Sequence, residues 1–206
     1  MKILFQGDSV TDAGRTENSL GFGYPSIIAK ELPEIYPDIE FQFYNRGVSG
    51  NRSIDLVNRW QTDTLDISPD ILTILIGVND CWHYAEGTAE YVTNEEFENN
   101  LRKLITDAKS KSNPKIILIE PYVFEYQHNH FRGDLLEKIE VIRKVSMELA
   151  DYLIPLDGLI FAARTAEKNV EFSSDGVHPS PEGHELIAMY IMDAICDIID
   201  SQNNEK

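Results

Sequence analysis

Short apolar runs alternate with longer amphipathic stretches along this chain. Runs near 2–6, 39–44, 70–76, 115–120 and 152–156 read as strands. Two of them, Asp70 to Ile76 and Lys115 to Glu120, are almost continuously apolar inside, as strands covered on both faces are. Helical spacing predicts helices near 22–32, 53–65, 94–112, 134–150 and 181–200. In the fourth, Leu135, Leu136, Ile139, Ile142, Val145 and Leu149 form one stripe. Ser180-Pro181-Glu182-Gly183 offers the last helix an N-cap with proline at its first position. Such alternation predicts an α/β fold, a three-layer α/β/α sandwich around a five-stranded parallel sheet. No repeat, low-complexity tract or linker interrupts the pattern. Residues 1–200 are therefore expected to form a single domain, with 201–206 a polar C-terminal tail.

Composition narrows the partners. The 206 residues carry 35 acidic against 18 basic side chains, a formal net charge of −17. Such a surface repels phosphate backbones and anionic headgroups, so neither nucleic acid nor a membrane surface is an expected partner. A neutral substrate, such as an esterified sugar, meets no such penalty. Cys81 and Cys196 do not amount to a disulfide framework. The N-terminal apolar run is too brief for a signal peptide, and no run approaches the roughly 20 residues that span a bilayer. A cytoplasmic location is the expectation.

Candidate chemistry follows the strand ends, because ligands of open α/β sheets bind beyond the carboxyl ends of the strands. The first strand runs into Gly7-Asp8-Ser9, which puts a hydroxyl just past it. Alone, these are ordinary turn and cap residues. Three further stretches add weight: Asn45-Arg46-Gly47-Val48-Ser49-Gly50-Asn51 after the second strand, Gly77-Val78-Asn79-Asp80 after the third, and Asp175-Gly176-Val177-His178-Pro179-Ser180 before the last helix. Ester hydrolysis needs a nucleophile, a base and donors for the oxyanion. Ser9 supplies the first and His178 the second, since imidazole accepts a proton near neutral pH. Asp175, three residues from His178, can orient the ring. The Gly-x-Ser-x-Gly elbow of the α/β-hydrolases does not occur around Ser9.

In order and wording, these blocks resemble the four signature blocks of the SGNH (GDSL-type) ester hydrolases, nearly end to end. The resemblance implies a flavodoxin-like sheet and a catalytic triad of Ser9, His178 and Asp175. It also implies an oxyanion hole built from the backbone N–H of Ser9, the backbone N–H of Gly50 and the side-chain amide of Asn79. Gly50 leaves no Cβ in the way of a substrate carbonyl, and Asn79 offers an amide donor. Gly47 rivals Gly50, although the spacing from Asn45 favours the latter. Asp80 is expected to shape its turn. Within the family, Gly7 to Arg15, Gly47 to Asn51 with Asp55 to Trp60, Gly77 to Trp82 and the closing His178-Pro179-Ser180-x-x-Gly183-His184 look most like intracellular acetylxylan esterases and related carbohydrate acetyl esterases. That implies removal of acetyl groups from short acetylated xylo-oligosaccharides or other sugars, with no cofactor, and it allows a homo-oligomer.

Around this centre, Trp82, Tyr84 and Trp60 are candidates for a substrate wall, with core packing as the other reading. Arg15 and Arg46 are expected to brace loops through carboxylates such as Asp12. His184 is expected on the last helix facing solvent. Cys81, His83, His128 and His130 match no usual zinc spacing, so no metal is expected. Gly21-Phe22-Gly23-Tyr24 lacks the spacing of a dinucleotide loop. The long segment Tyr122 to Gly133 is either a functional loop or a packed surface loop. Two other functions share the fold: a lysophospholipase or thioesterase with a longer acyl groove, and a non-catalytic binding module.

Overall fold

The structure, a computed structural model, describes residues 1–124 and 130–204. Strands Lys2–Gly7 (β1), Gln42–Gly47 (β2), Ile71–Leu75 (β3), Lys115–Ile119 (β4) and Tyr152–Ile154 (β5) pair in the order β2-β1-β3-β4-β5. Every pairing is parallel. The order reverses direction between β1 and β3, and an open sheet leaves its binding crevice at such a point.

Alternation along the strands sorts the core into two layers. Ile3, Phe5, Ile71, Leu75, Ile117 and Ile119 pack on helices Tyr24–Ile35 (α2) and Pro181–Asn204 (α8), with Leu156–Ala166 (α7) beside them. Leu4, Leu72, Ile74, Ile116 and Leu118 face Ser53–Trp60 (α3), Asn94–Lys111 (α5) and Arg132–Leu149 (α6). Helix starts follow local chemistry. Thr93 and Glu96 close a reciprocal capping box at α5, the Glu96 carboxylate accepting from Thr93 N–H at 2.8 Å.

Several boundaries differ from the expectation. The second strand lies at Gln42–Gly47 instead of 39–44, because Ile39 and Phe41 pack on the core before the ladder begins. The helix expected over 53–65 ends at Trp60 and continues as a π-helical turn, Gln61–Leu65. Here Gln6 Nε2 donates to the Asp63 carbonyl at 3.0 Å and to Thr64 Oγ1 at 2.8 Å. The last helix runs to Asn204, into the stretch read as a polar tail. Val78–Ala85 (α4) and α7 were not foreseen, and a single turn, Ser9–Asp12 (α1), follows β1. A third, smaller cluster sits at the rim. It joins Val78 and Cys81 of α4 to Leu135 and Ile139 of α6, and Val177 packs into it.

Candidate active site

The end of β1 is clamped from several sides. Asp8 is buried, and its carboxylate accepts from Val10 N–H at 3.0 Å, capping α1. Burial pushes that carboxyl up to about 7, against the opposing pull of the Val10 N–H and the charge of His178. The Thr11 hydroxyl lies 2.8 Å from the Tyr24 hydroxyl in the core. Asn45 at the end of β2 donates from Nδ2 to the carbonyls of Thr11 (2.7 Å) and Leu20 (2.8 Å). Gly47 then backs directly on α1: a Cβ there would stand 2.2 Å from Asp12 N. Ser9 sits at the top of this clamp, its N–H at the start of a helical turn and so without an intrahelical acceptor.

The loop before α8 is a knot of short-range bonds. Asp175 Oδ1 accepts from the N–H groups of Val177 (2.9 Å) and His178 (2.7 Å) and from the Ser173 hydroxyl (3.2 Å). Its Oδ2 lies 2.6 Å from His178 Nδ1. The other ring nitrogen, Nε2, lies 2.9 Å from Ser9 Oγ, across 169 residues of chain. Some burial raises the Asp175 carboxyl, but the bonds from the His178 ring and the two N–H groups outweigh it and hold it at about 2. Asp175 therefore stays ionised across the neutral range. The Nδ1 contact favours the tautomer whose Nε2 is free to accept a proton.

Gly50 and Gly47 have different surroundings. Gly50 lies at φ +79°, and a Cβ on it would meet only His83, at 3.7 Å. Gly47 is closed off by α1. Asn79, in the first turn of α4, is buried and donates from Nδ2 to the Asn51 carbonyl at 3.1 Å, tying α4 to the loop after Gly50. Asp80 accepts from the N–H (3.0 Å) and hydroxyl (2.6 Å) of Ser53 and so holds the start of α3. Burial raises its carboxyl to about 6.

Arg59 was not singled out from the sequence. Its guanidinium donates to Asn51 Oδ1 (2.8 Å), Gln6 Oε1 (2.9 Å), Asp63 (2.9 Å) and the carbonyls of Arg46 (2.8 Å) and Gly7 (3.1 Å). One side chain thus joins the ends of β1 and β2 to the Gly50–Asn51 loop. Its signal was its place on α3, within the Asp55 to Trp60 stretch. Among the described residues, Arg15 braces the Gly47 carbonyl instead of a carboxylate, and Arg46 Nε is buried without a partner. Asp12 accepts from the N–H and hydroxyl of Ser49.

The other candidates separate cleanly. Trp60 is core, its indole N–H on the Leu104 carbonyl at 3.0 Å. Trp82 is half-buried, its ring centroid 6.1 Å from that of His178 and 6.2 Å from that of Phe131. Tyr84 is exposed and packs on Tyr91. His184 is on α8, as expected, but buried: Tyr24 N–H donates to its Nδ1 at 3.3 Å, and burial, with His178 nearby, lowers it to about 4. Among the described residues no group of three His, Cys, Asp or Glu side chains could hold a metal, and no helix is long and apolar enough to cross a membrane. His128 and most of the loop's middle, 125–129, lie outside the described residues.

A parallel sheet with a hydroxyl, an imidazole and a carboxylate in line at its switch point has the equipment of an ester hydrolase. The chain belongs to the GDSL-like Lipase/Acylhydrolase family, whose model matches residues 5–186. It is similar to a curated acetylxylan esterase from Geobacillus stearothermophilus, 28% identical over 197 residues, 91% of this chain and 90% of that protein. The solved acetylxylan esterase Axe2 of the same organism superposes with a TM-score of 0.83 at 29% identity, covering 93% of this chain and 92% of the other. A GDSL-like protein of Parabacteroides merdae gives 0.86 at 37% identity, covering 94% of each chain. The fold is that of the SGNH/GDSL hydrolases, and the protein is a carboxylic ester hydrolase.

Proposed function

We propose that Ser9 is the nucleophile of a deacetylase acting on short acetylated xylo-oligosaccharides or related sugars. The observation that carries the reading is the chain Ser9 Oγ, His178 Nε2, His178 Nδ1, Asp175 Oδ2, with contacts of 2.9 and 2.6 Å. His178 Nε2 takes the hydroxyl proton as Oγ bonds to the acetyl carbonyl carbon. The imidazolium, held by ionised Asp175, then protonates the departing sugar oxygen. A water molecule, deprotonated by the same nitrogen, releases acetate and restores the serine. The oxyanion falls to the N–H groups of Ser9 and Gly50 and to Asn79, which has a second amide hydrogen beyond the one on Asn51.

Likeness to acetylxylan esterases over nine-tenths of the chain supports the sugar ester, and so does the half-buried Trp82 ring beside His178. The test is acetate release from acetylated xylo-oligosaccharides by wild type and Ser9→Ala. Release abolished by the substitution is the expected result. Faster hydrolysis of p-nitrophenyl octanoate than of the acetate by wild type would replace the acetyl substrate with a longer acyl chain.

A further inference from the structure

A second concavity opens beside the rim, between α4 and the start of α6. Cys81 and Tyr84 of α4, Tyr91 of the following loop, and Phe131, Asp134 and Glu137 line a cavity of about 570 Å³. That is within the range of roughly 300–1,000 Å³ that small ligands occupy. It adjoins the rim through one aromatic pair. Phe131, on its wall, stacks on Trp82 at an interplanar angle of 20°, and Trp82 adjoins His178. The cavity thus lies one ring pair away from the His178 side of the site.

The lining has a definite chemistry. Tyr84 is 52% exposed and tilts over Tyr91 at a centroid distance of 4.8 Å, offering ring surface to the cavity. Lys138 beneath is fully buried, and its ammonium is committed to the Val92 carbonyl (2.6 Å), Asn94 Oδ1 (2.7 Å) and Asp134 Oδ1 (3.3 Å). The Tyr91 hydroxyl donates to the same Asp134 oxygen at 2.9 Å. Asp134 Oδ2 is buried with no hydrogen-bond partner among the described residues. The Cys81 thiol, kept protonated by burial and by the nearby Asp134 carboxylate, donates weakly to the Gly77 carbonyl at 3.6 Å. Asp134 is thus turned inward to Lys138 and Tyr91, and the exposed carboxylate of the wall is that of Glu137.

We infer that this cavity is a subsite for a neutral sugar ring of an oligosaccharide whose acetylated unit lies at Ser9. The inference rests on the acetyl-sugar reading above and extends it. Aromatic faces take the apolar C–H surface of a pyranose, and the exposed Glu137 carboxylate accepts from its hydroxyls. An anionic ligand is disfavoured, since the buried cation is already neutralised and the carboxylates of Asp134 and Glu137 outnumber the one imidazole of the wall, His130. Enzymatic preference should therefore run toward longer neutral chains and away from those bearing uronic acid.

The test uses the full chain and an unacetylated probe, so it does not depend on turnover. Titrating xylotetraose into the ¹⁵N-labelled wild type should shift the amides of Tyr84, Tyr91 and Asp134, and a uronic-acid-substituted xylotetraose should shift them far less. Tyr84→Ala should weaken xylotetraose binding about tenfold, and Tyr84→Phe, which keeps the ring, should restore it. The ratio of kcat/KM for acetylated xylotetraose to that for acetylated xylobiose should fall by a similar factor in Tyr84→Ala. Shifts confined to Trp82 and the Ser9 rim, or an equal affinity in Tyr84→Ala, would overturn the subsite. Failure of the acetyl-sugar reading has a different signature. Wild type would then release no acetate, while shifts at Tyr84 and Asp134 would still support a sugar site.

Discussion

The two halves of the proposed relay are held in opposite ways. Ser9 stands on a segment locked into the core, with Asp8 and Thr11 buried and Gly47 pressed against the α1 backbone. His178 and Asp175 stand on a loop whose side chains are 43% and 48% exposed, kept in shape by bonds among their own neighbours. The proposed nucleophile is positioned by the fold, and the proposed base by a local turn. Damage to the first should register in stability, damage to the second in activity.

The largest expected effect sharpens that contrast. His178→Ala should lower kcat by about 10⁴–10⁶, the scale for losing a relay base, with little change in Tm because the side chain is part-exposed. Steady-state kinetics beside thermal denaturation checks it, and a large fall in Tm would erase the distinction. Asn79→Ala should cost about 10²–10³ in kcat, the range for one oxyanion donor. Because Asn79 also holds Asn51, a fall in Tm is expected there, but unchanged kcat would remove it from the oxyanion hole. Gly47→Ala attacks the core-held half. A Cβ so near the backbone of α1 should cost about 3 kcal/mol, the upper end for overpacking, or roughly 6–12 °C in Tm. An unperturbed Tm would mean the clamp yields easily.

The last contrast concerns pH. The Asp8 carboxyl rises from 3.8 unfolded to about 7 folded, so its contribution to stability is fully present below pH 3.8 and is lost as pH climbs toward 7. Asp80 acts in the same direction, up to about 6. Asp175 has the opposite sign: its contribution is present above pH 3.8 and disappears as pH falls toward 2. Asp8→Asn keeps an acceptor for Val10 N–H but cannot ionise. Its Tm relative to wild type should be higher at pH 8 than at pH 4, and a pH-independent difference would contradict the assignment.

The sheet was legible because buried parallel strands announce themselves: the continuous apolar runs around Ile71 and Ile117 lie in β3 and β4. The second strand was misjudged where Ile39 and Phe41 are apolar without being in the ladder. Helix α4 escaped notice because Gly77-Val78-Asn79-Asp80 reads as a turn, although Val78, Cys81, Trp82 and Ala85 keep helical spacing. In α7, Leu156, Leu159, Ile160 and Ala163 carry the same spacing, but the strand was read through Leu156. Ser9, Asp175, His178, Gly50 and Asn79 could be nominated from motif order, since each follows a strand or precedes a helix. Arg59 could not: apart from Asp63, one helical turn on, its partners are backbone carbonyls and side-chain amides that only the fold brings together. His184 was read as solvent-facing because one helical turn gives no sign of which neighbour covers it.

The central claim is that Ser9 is activated through His178. Mass spectrometry after brief exposure to a fluorophosphonate tests it most directly. A single adduct on the peptide carrying Ser9, absent in Ser9→Ala and strongly slowed in His178→Ala, is the predicted result. An unlabelled Ser9, or labelling at the same rate without the imidazole, would contradict the account.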